Sequence, residues 1–389
     1  MFFEQTTLGK VSKGGKGNYG IAAAGVDYSD ELYTYLRITD IKDDGTINAC
    51  GLKSVNDEKA ANYLLKPNDI VFARTGANTG RNYFYDGSDG QFVYAGFLIK
   101  FSLDPDKVNP KYVKYYCLSR EYKEWITSYS TGSTRGNINA QTLAQMPLLL
   151  PERKQQDKMV DILSSIDRKI KENEKINKNL FEQAQALYKN RYIDLLPFNG
   201  KIPAGWHIGT VSEIIDLHDS KRVPLSSRER EKLDKIYPYY GATSVMDYVD
   251  CYLFDGIYLL LGEDGTVVDD KGFPVLQYVD GKFWVNNHAH IITGKCSFTV
   301  ELLYLLFSLT NVKSIVTGAV QPKISQANLK KVPVLIPDAD ELEFFNSVIQ
   351  PFFVQIRNLR AENDRLATLR DTLLPMLLSG EIDVSDLNL

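Results

Sequence analysis

His288 and His290 in "NNHAH" stand two residues apart. On a strand such residues share a face, so the pair could bind a metal and support hydrolysis. No Cys lies near enough to complete the set, although Asp or Glu could contribute; a packed or hydrogen-bonded pair is the simpler reading. The expectation is no metal. Glu263 and Asp264 in "GEDG" place two carboxylates in a turn, which suits either a solvated turn or a polar recognition loop. His occurs only four times, and no Ser/His/Asp grouping emerges. No catalytic residue is assigned.

Nucleotide chemistry fares no better. "TGKCS" lacks the distal Gly of a phosphate-cradling loop, and "GGKGNYG" (14–20) does not sit between a clear strand and helix. "NPKY" at 109–112 is similar to the (N/D)PP(Y/F) motif of amino-methyltransferases but lacks its second Pro; Asn as cap and Pro in the first turn describe an ordinary helix start.

A recognition pattern is left. "ARTGANTGRN" carries Arg74, Thr75, Asn78, Thr79 and Arg81, and "STGSTRGNIN" carries Ser133, Thr134, Arg135 and Asn137. Gly lets a backbone approach closely, and Ser, Thr and Asn bond phosphate oxygens. Arg can grip guanine with two hydrogen bonds, while Asn and Gln suit adenine. The second half offers Tyr240, Thr243 and Ser244 in "YYGATS", Glu263 and Asp264, Asn286, Asn287 and His288 in "VNNHAH", and Gln321 and Lys323 in "TGAVQPKIS". Taken singly, each loop also reads as a plain surface turn.

These loops belong to a duplicated frame. "STGSTRGNINAQTLAQMPLLLP" (130–151) and "VTGAVQPKISQANLKKVPVLIP" (316–337) align without a gap at an offset of 186, and the same offset carries Asp69 and Gly76 onto Asp255 and Gly262. Such a period exceeds a solenoid unit and implies tandem duplication. Strands are expected in "LYTYLRITDI", "NDIVFART", "FVYAGFLIKF", "GIYLLL" and "KFWVNNHAHIIT". "PKYVKYYCLSREYKEWI" and "FTVELLYLLFSLT" read as helices.

A long helix should follow each copy. Met159, Leu163, Ile166, Ile170, Asn173, Asn177, Leu180, Ala184 and Leu187 alternate in steps of four and three, as in a coiled-coil seam. Phe345, Ile349, Phe352, Ile356, Leu359, Asn363, Leu366 and Leu373 continue it in the second copy, where Asn177 lands on Asn363. An Asn in a seam costs stability and fixes register. Pro351 should kink the second helix, Pro375 kink or end it, and Gly380 stop it. Residues 153–195 hold ten Lys and Arg against seven Asp and Glu, and residues 338–389 hold four against ten. Opposite charges favour antiparallel pairing of the two helices; the alternative is that each lies on its own domain. The reading is therefore α+β: two mixed globular regions, 1–152 and 196–337, joined by helices at 153–195 and 338–389 with pseudo-two-fold symmetry.

The 389 residues carry a net charge of −4, which by itself argues against a nucleic-acid partner, but local basic surface outweighs the global sum. The opening residues do not read as a signal peptide, and no apolar run is long enough for a membrane span. Cys50, Cys117, Cys251 and Cys296 never form a CxxC; buried free thiols in a reducing cytoplasm are expected.

The assembly of "YLRITDI", "DIVFARTG", "STGSTRGNINAQTLAQMPLLLPERKQQ", "YPYYGATSVMDYVDCYLFDG", "LLGEDG", "KFWVNNHAH" and "LRDTLLPMLLSGEIDV" closely resembles the specificity subunit of type I restriction–modification enzymes along essentially the whole chain. One departure is the short stretch before "LGKVS", where relatives usually carry a lead-in like "GWHIGTVSEII" of the second half. The resemblance implies a non-catalytic subunit, with no cofactor of its own, that binds duplex DNA. It implies docking of two methyltransferase subunits, which bind S-adenosylmethionine and methylate adenine N6, and of restriction subunits that use ATP with Mg. One copy per complex is expected, with each globular region reading one half of a bipartite, asymmetric site and the helices setting the gap. Leu163, Ile170, Asn177, Leu180, Ile356, Asn363 and Leu366 are the expected helix-pairing residues. The alternatives are a protein-recruiting scaffold without DNA specificity and, less simply, a nuclease using His288 and His290.

Overall fold

Each half of the repeat opens and closes on the same antiparallel ribbon. Phe3–Thr7 pairs with Pro147–Pro151, Thr7 facing Pro147; His207–Thr210 pairs with Pro333–Ile336, Thr210 facing Pro333. The matched prolines stand first in their strands, where a missing N–H is tolerated. Just inside the ribbons, Leu8 N–H bonds Met146 O at 3.0 Å and Val211 N–H bonds Val332 O at 2.9 Å. The short N-terminal stretch thus supplies the same strand as the longer lead-in of the second half.

The computed structural model describes residues 2–49, 51–129, 137–318, 320–385 and 387. Cys50 and the stretch containing Ser133, Thr134 and Arg135 lie outside them. The chain forms two compact units, Met1–Ile170 with Asp364–Leu389, and Lys171–Asn363.

The first unit holds two four-stranded sheets. One orders Asn18–Tyr19, Leu98–Ser102, Asp69–Ala73 and Asn82–Tyr85; the other orders Gly25–Val26, Lys53–Val55, Tyr33–Leu36 and Phe92–Tyr94. Asp69–Ala73 is buried along its whole length, which explains its unbroken apolar run in place of alternation. Phe72, Phe101, Tyr112, Leu143 and Leu163 meet in the main core, which also takes in Leu374 and Leu377 of the C-terminal helix. Each such burial contributes roughly 1.5–3 kcal/mol.

The second unit has one six-stranded sheet: Ile215–Leu217, Ala289–Gly294, Phe254–Gly262, Leu276–Val285, Tyr237–Tyr240 and Val245–Val249. The helix Val300–Ser308 packs on it, buried at seven of its nine positions.

Several expected elements are broken. "FVYAGFLIKF" is two strands, Phe92–Tyr94 and Leu98–Ser102, with a turn at Ala95–Phe97. "KFWVNNHAHIIT" breaks likewise between Val285 and Ala289. The first unit's helical stretch splits into Pro110–Tyr116 and Arg120–Ser128, because Ser119 Oγ accepts the Tyr122 N–H and starts a new helix. Asn109 caps the first of these, with Pro110 following. Of the described cysteines, Cys117 is buried, but Cys251 and Cys296 are exposed, contrary to expectation.

The long helices run Arg153–Tyr188 and Ala339–Ser379. Pro375 does not end the second; the helix continues through it to Ser379, and Gly380 then turns at φ 78°. Within the first unit the helices are antiparallel: Gln155 bonds Ser385, Lys158 bonds the Val384 and Ser385 carbonyls, and Arg370 pairs with Asp167. Within the second, Arg191 grips Glu341 and Asn173 Nδ2 donates to Asn363 Oδ1 and Glu362 Oε2, both at 2.8 Å. The helices also pack on each unit's own core, so pairing and docking coexist.

The seam differs from a strict heptad. Leu163 and Ile356 are buried, and Ile170, Asn177, Leu180, Asn363 and Leu366 are half-buried. Leu187 is 37% exposed while Tyr188 is buried, and Phe353 replaces Phe352 as the fully buried residue. An α-helix drifts about 20° per heptad relative to a 3.5-residue repeat, and packing on a globular core takes up that drift. The seam Asn that meets Asn363 is Asn173, not Asn177. Applying the 186 offset, the pseudo-symmetric counterpart of Asn173–Asn363 joins Leu359 to Asn177, so one of the two equivalent places lacks a polar partner. Among the described residues, Asn177 Oδ1 is buried without a hydrogen bond.

Among the described residues, no helix is long and apolar enough to cross a membrane.

Candidate nucleic-acid interface

Three backbone hydrogen bonds recur in the two units. In the first, Ala95 N–H bonds Leu36 O (3.0 Å), Arg74 N–H bonds Phe97 O (3.0 Å) and Ile138 N–H bonds Arg74 O (2.9 Å). In the second, Asn286 N–H bonds Tyr240 O (3.0 Å), Glu263 N–H bonds His288 O (2.8 Å) and Ile324 N–H bonds Glu263 O (2.8 Å). A bridge between Thr75 and Asn137 answers one between Asp264 and Lys323. Each frame gathers strand ends and one long loop; in the first unit the strand ends come from both four-stranded sheets, in the second from the single six-stranded sheet. Arg74 therefore corresponds to Glu263, and Gly262 to Ala73. The alignment of Asp69 and Gly76 with Asp255 and Gly262 is corrected by three residues here, since pairing rather than matching letters fixes the register.

In the first unit the frame brings Arg74 and Thr75 beside Asn137. The Arg74 guanidinium lies over the Tyr19 ring at 5.0 Å, and among the described residues its Nε is buried without a hydrogen-bond partner. Tyr19 stands on the edge strand, its hydroxyl accepting the Ala140 N–H. The far side of the Arg74 loop turns inward. Asn78 Nδ2 bonds Ile38 O, and Thr79 Oγ1 bonds Gly76 O. Arg81 holds Asp43 with two hydrogen bonds and reaches Ile41 O. These three side chains brace the loop.

The second unit's frame is ionic. Glu263 accepts from Arg222 Nη1 at 2.5 Å and faces Lys323 Nζ at 3.1 Å. His290 is fully buried; its Nδ1 faces Asp219 Oδ2 at 2.6 Å and its Nε2 faces Ile324 O at 2.7 Å. Asp219 also accepts from the Ile291 N–H and from Gln326. Burial alone would raise the Asp219 carboxyl, but His290, the Ile291 amide and Arg222 hold it below its ordinary value. Glu263 behaves alike: burial opposes, and Arg222, His290 and Lys323 prevail. Asp219, Glu263 and His290 each offer a ligand atom within 4.8 Å of the others. Arg222 and Lys323 already occupy the Glu263 oxygens, and Gln326 and His290 already share one Asp219 oxygen. The arrangement is an ion-pair cluster, and Lys323, 47% exposed, is its member on the solvent side.

His288 does not share the His290 environment. It sits in the turn, 43% exposed in its side chain, and pairs with Asp264. The expectation that both rings face one side of a strand is corrected: the strand begins only at Ala289. Asn286 is buried and its Oδ1 accepts the His288 N–H, so it shapes the turn; Asn287 is exposed. Thr243 and Ser244 are exposed in the hairpin beside Tyr240, closed by Gly241 N–H to Ser244 O. Lys323 and Gln321 lie on a loop that Thr317 and Lys323 close with two backbone bonds. Gly318 is required there: its φ is +89°, and a Cβ would stand 2.2 Å from Gln321 O. The sequence reading missed Tyr19, Phe97, Asp219, Arg222 and Gln326, which complete the two frames.

The model of the type I restriction modification DNA specificity domain matches residues 4–181 and 203–368, so each match holds one frame. The chain belongs to that family. The MjaIX type I restriction enzyme specificity subunit of Methanocaldococcus jannaschii is 25% identical over 309 residues, covering 72% of this chain and 71% of the relative. The HindI specificity subunit of Haemophilus influenzae is 20% identical over 426 aligned positions, covering 86% and 91%. The crystal structure of a type I restriction-modification system S subunit from M. genitalium superposes with a TM-score of 0.52 at 16% identity, covering 96% of both chains. The specificity-family fold is thus α+β and twofold repeated, and its two domains differ here in the side chains that the common frame presents.

Proposed function

We propose that this chain is the DNA-reading subunit of a type I restriction–modification complex and recognises a bipartite, asymmetric site, one half-site per frame. The observation that carries this reading is the matched set of backbone bonds holding chemically different side chains: Arg74, Thr75 and Asn137 in one frame, Lys323, Gln321, Thr243 and His288 in the other. Arg and Lys neutralise phosphates or grip guanine, and Asn and Gln suit adenine. A net charge of −4 suits a subunit whose partners supply much of the basic surface. Those partners are methyltransferase subunits carrying S-adenosylmethionine, which act on an extruded adenine, and restriction subunits using ATP with Mg. The chain itself takes no cofactor and works in the cytoplasm, as one copy per complex.

The test is sequencing of methyladenine across the host genome with and without the gene. Loss of one gapped motif on deletion is the expected result, and a variant at Lys323 should relax one half of that motif only. A methylome unchanged by deletion, in a host shown to express the methyltransferase, would overturn the reading.

A further inference from the structure

Phe97 is 60% exposed at the tip of a turn that Leu98 N–H closes onto Ala95 O at 2.8 Å. Its carbonyl is fixed by the Arg74 N–H, and the next residue, Leu98, is fully buried. The turn therefore leaves the Phe97 ring out of the core, and the backbone bond to Arg74 holds the turn there. The same backbone bond sets Arg74 next to it, and the Arg74 guanidinium lies over the half-exposed Tyr19 ring. The corresponding place in the second unit holds His288, a polar ring tethered to Asp264. One frame presents an untethered apolar ring among groups suited to phosphates and base edges; the other does not.

We infer that Phe97 is a stacking wedge that packs against an unstacked base step in the first unit's half-site, an inference that rests on the DNA-reading function proposed above. Apolar side chains inserted at a base step kink the duplex, and pyrimidine–purine steps yield most easily. A phenyl ring carries no hydrogen-bond code, so it selects by deformability. The half-site read through Arg74 therefore includes a flexible step, and the half-site read through Lys323 is bound without this distortion.

The experiment uses the assembled methyltransferase complex and duplexes bearing its methylated motif, with 2-aminopurine placed in turn at each position. With the wild type, fluorescence should rise at a position next to a pyrimidine–purine step in one half-site, in addition to any signal at the target adenine. Phe97→Ala should abolish that rise and weaken binding on the order of tenfold, leaving discrimination at the other half-site intact. Phe97→Leu should retain most of both. An unchanged melting temperature for Phe97→Ala separates loss of stacking from loss of fold. If the wild type binds its motif specifically and Phe97→Ala matches it in affinity and fluorescence, the wedge is wrong and the DNA-reading function stands. If the wild-type complex shows no sequence-specific binding, both fall.

Discussion

Arg74 lies over an aromatic ring; Glu263, at the same place in the other frame, is clamped between Arg222 and Lys323. A cation and an anion occupy equivalent backbone positions, yet the surrounding hydrogen bonds are the same. The frame is built from N–H and C=O groups, which every residue except Pro can supply. Side-chain identity is therefore free to diverge, and each unit compensates locally: Tyr19 in the first, and the Asp219, Arg222, His290 and Lys323 cluster in the second.

The comparison is sharpest when the central side chain is removed. Glu263→Ala removes the 2.5 Å partner of Arg222, only 14% exposed, leaving it Asp219 Oδ2 at 3.6 Å, and should destabilise the second unit by about 3 kcal/mol. Arg74→Ala removes a cation–π contact and should cost about 1 kcal/mol or less. Chemical denaturation monitored in each unit would check both; equal losses would erase the distinction.

Acid should separate the frames next. Asp219 and Glu263 titrate below their ordinary values in the folded state. Their contribution is present above the unfolded value of about 4 and is lost as pH falls through the lowered folded values. Hydrogen exchange, corrected for intrinsic rates, should show the amides of Asn286, Ile291 and Ile324 losing protection below about pH 4, before those of Ala95 and Ile138. The first unit has its own acid-sensitive pairing at Asp167, held down by Lys114, Tyr115 and Arg370 against the effect of burial, but it lies at the helices, away from the frame. Simultaneous loss at both frames would contradict the assignment.

The seam offers a smaller effect. Asn177→Leu should stabilise the second unit by about 1 kcal/mol, because it removes a buried acceptor that lacks a bond. Asn173→Leu should cost stability, since it removes the hydrogen bonds to Asn363 and Glu362. Thermal melts of the pair would reverse that order if Asn177 were the register-setting residue.

The smallest effect is expected at Arg81. Its partner Asp43 is 82% exposed, so Arg81→Ala should change stability by less than about 1 kcal/mol despite the two-bond geometry. A larger loss in the same melts would mean that the Arg81 bracing is worth more than an exposed ion pair.

The duplication was legible because residues 130–151 and 316–337 align without a gap, and the helices because their apolar spacing runs for dozens of residues. The equivalence of Arg74 and Glu263 was hidden, since it lives in backbone bonds that no letter records. Asp219 and Arg222 escaped because their partners lie far along the chain, His290 being 71 residues from Asp219. Phe97 read as one more apolar residue of a strand; only the turn at Gly96 gives it a different meaning. His288 and His290 misled for the same reason, a strand assumed continuous where a turn intervenes.

The ribbons that open and close each half have a consequence for how such a chain can change over generations. Thr7 answers to Thr210, Arg74 to Glu263, Phe97 to His288 and Ile138 to Ile324, so the offset between halves runs 203, 189, 191 and 186. Insertions and deletions have been absorbed between fixed points. Because Phe3–Thr7 and Pro147–Pro151 hold entry and exit side by side, the intervening segment is a closed loop whose length costs little to alter. A gene built this way can exchange or lengthen one reading cassette by recombination at its borders, while the ribbon and the helix that follows it keep their place.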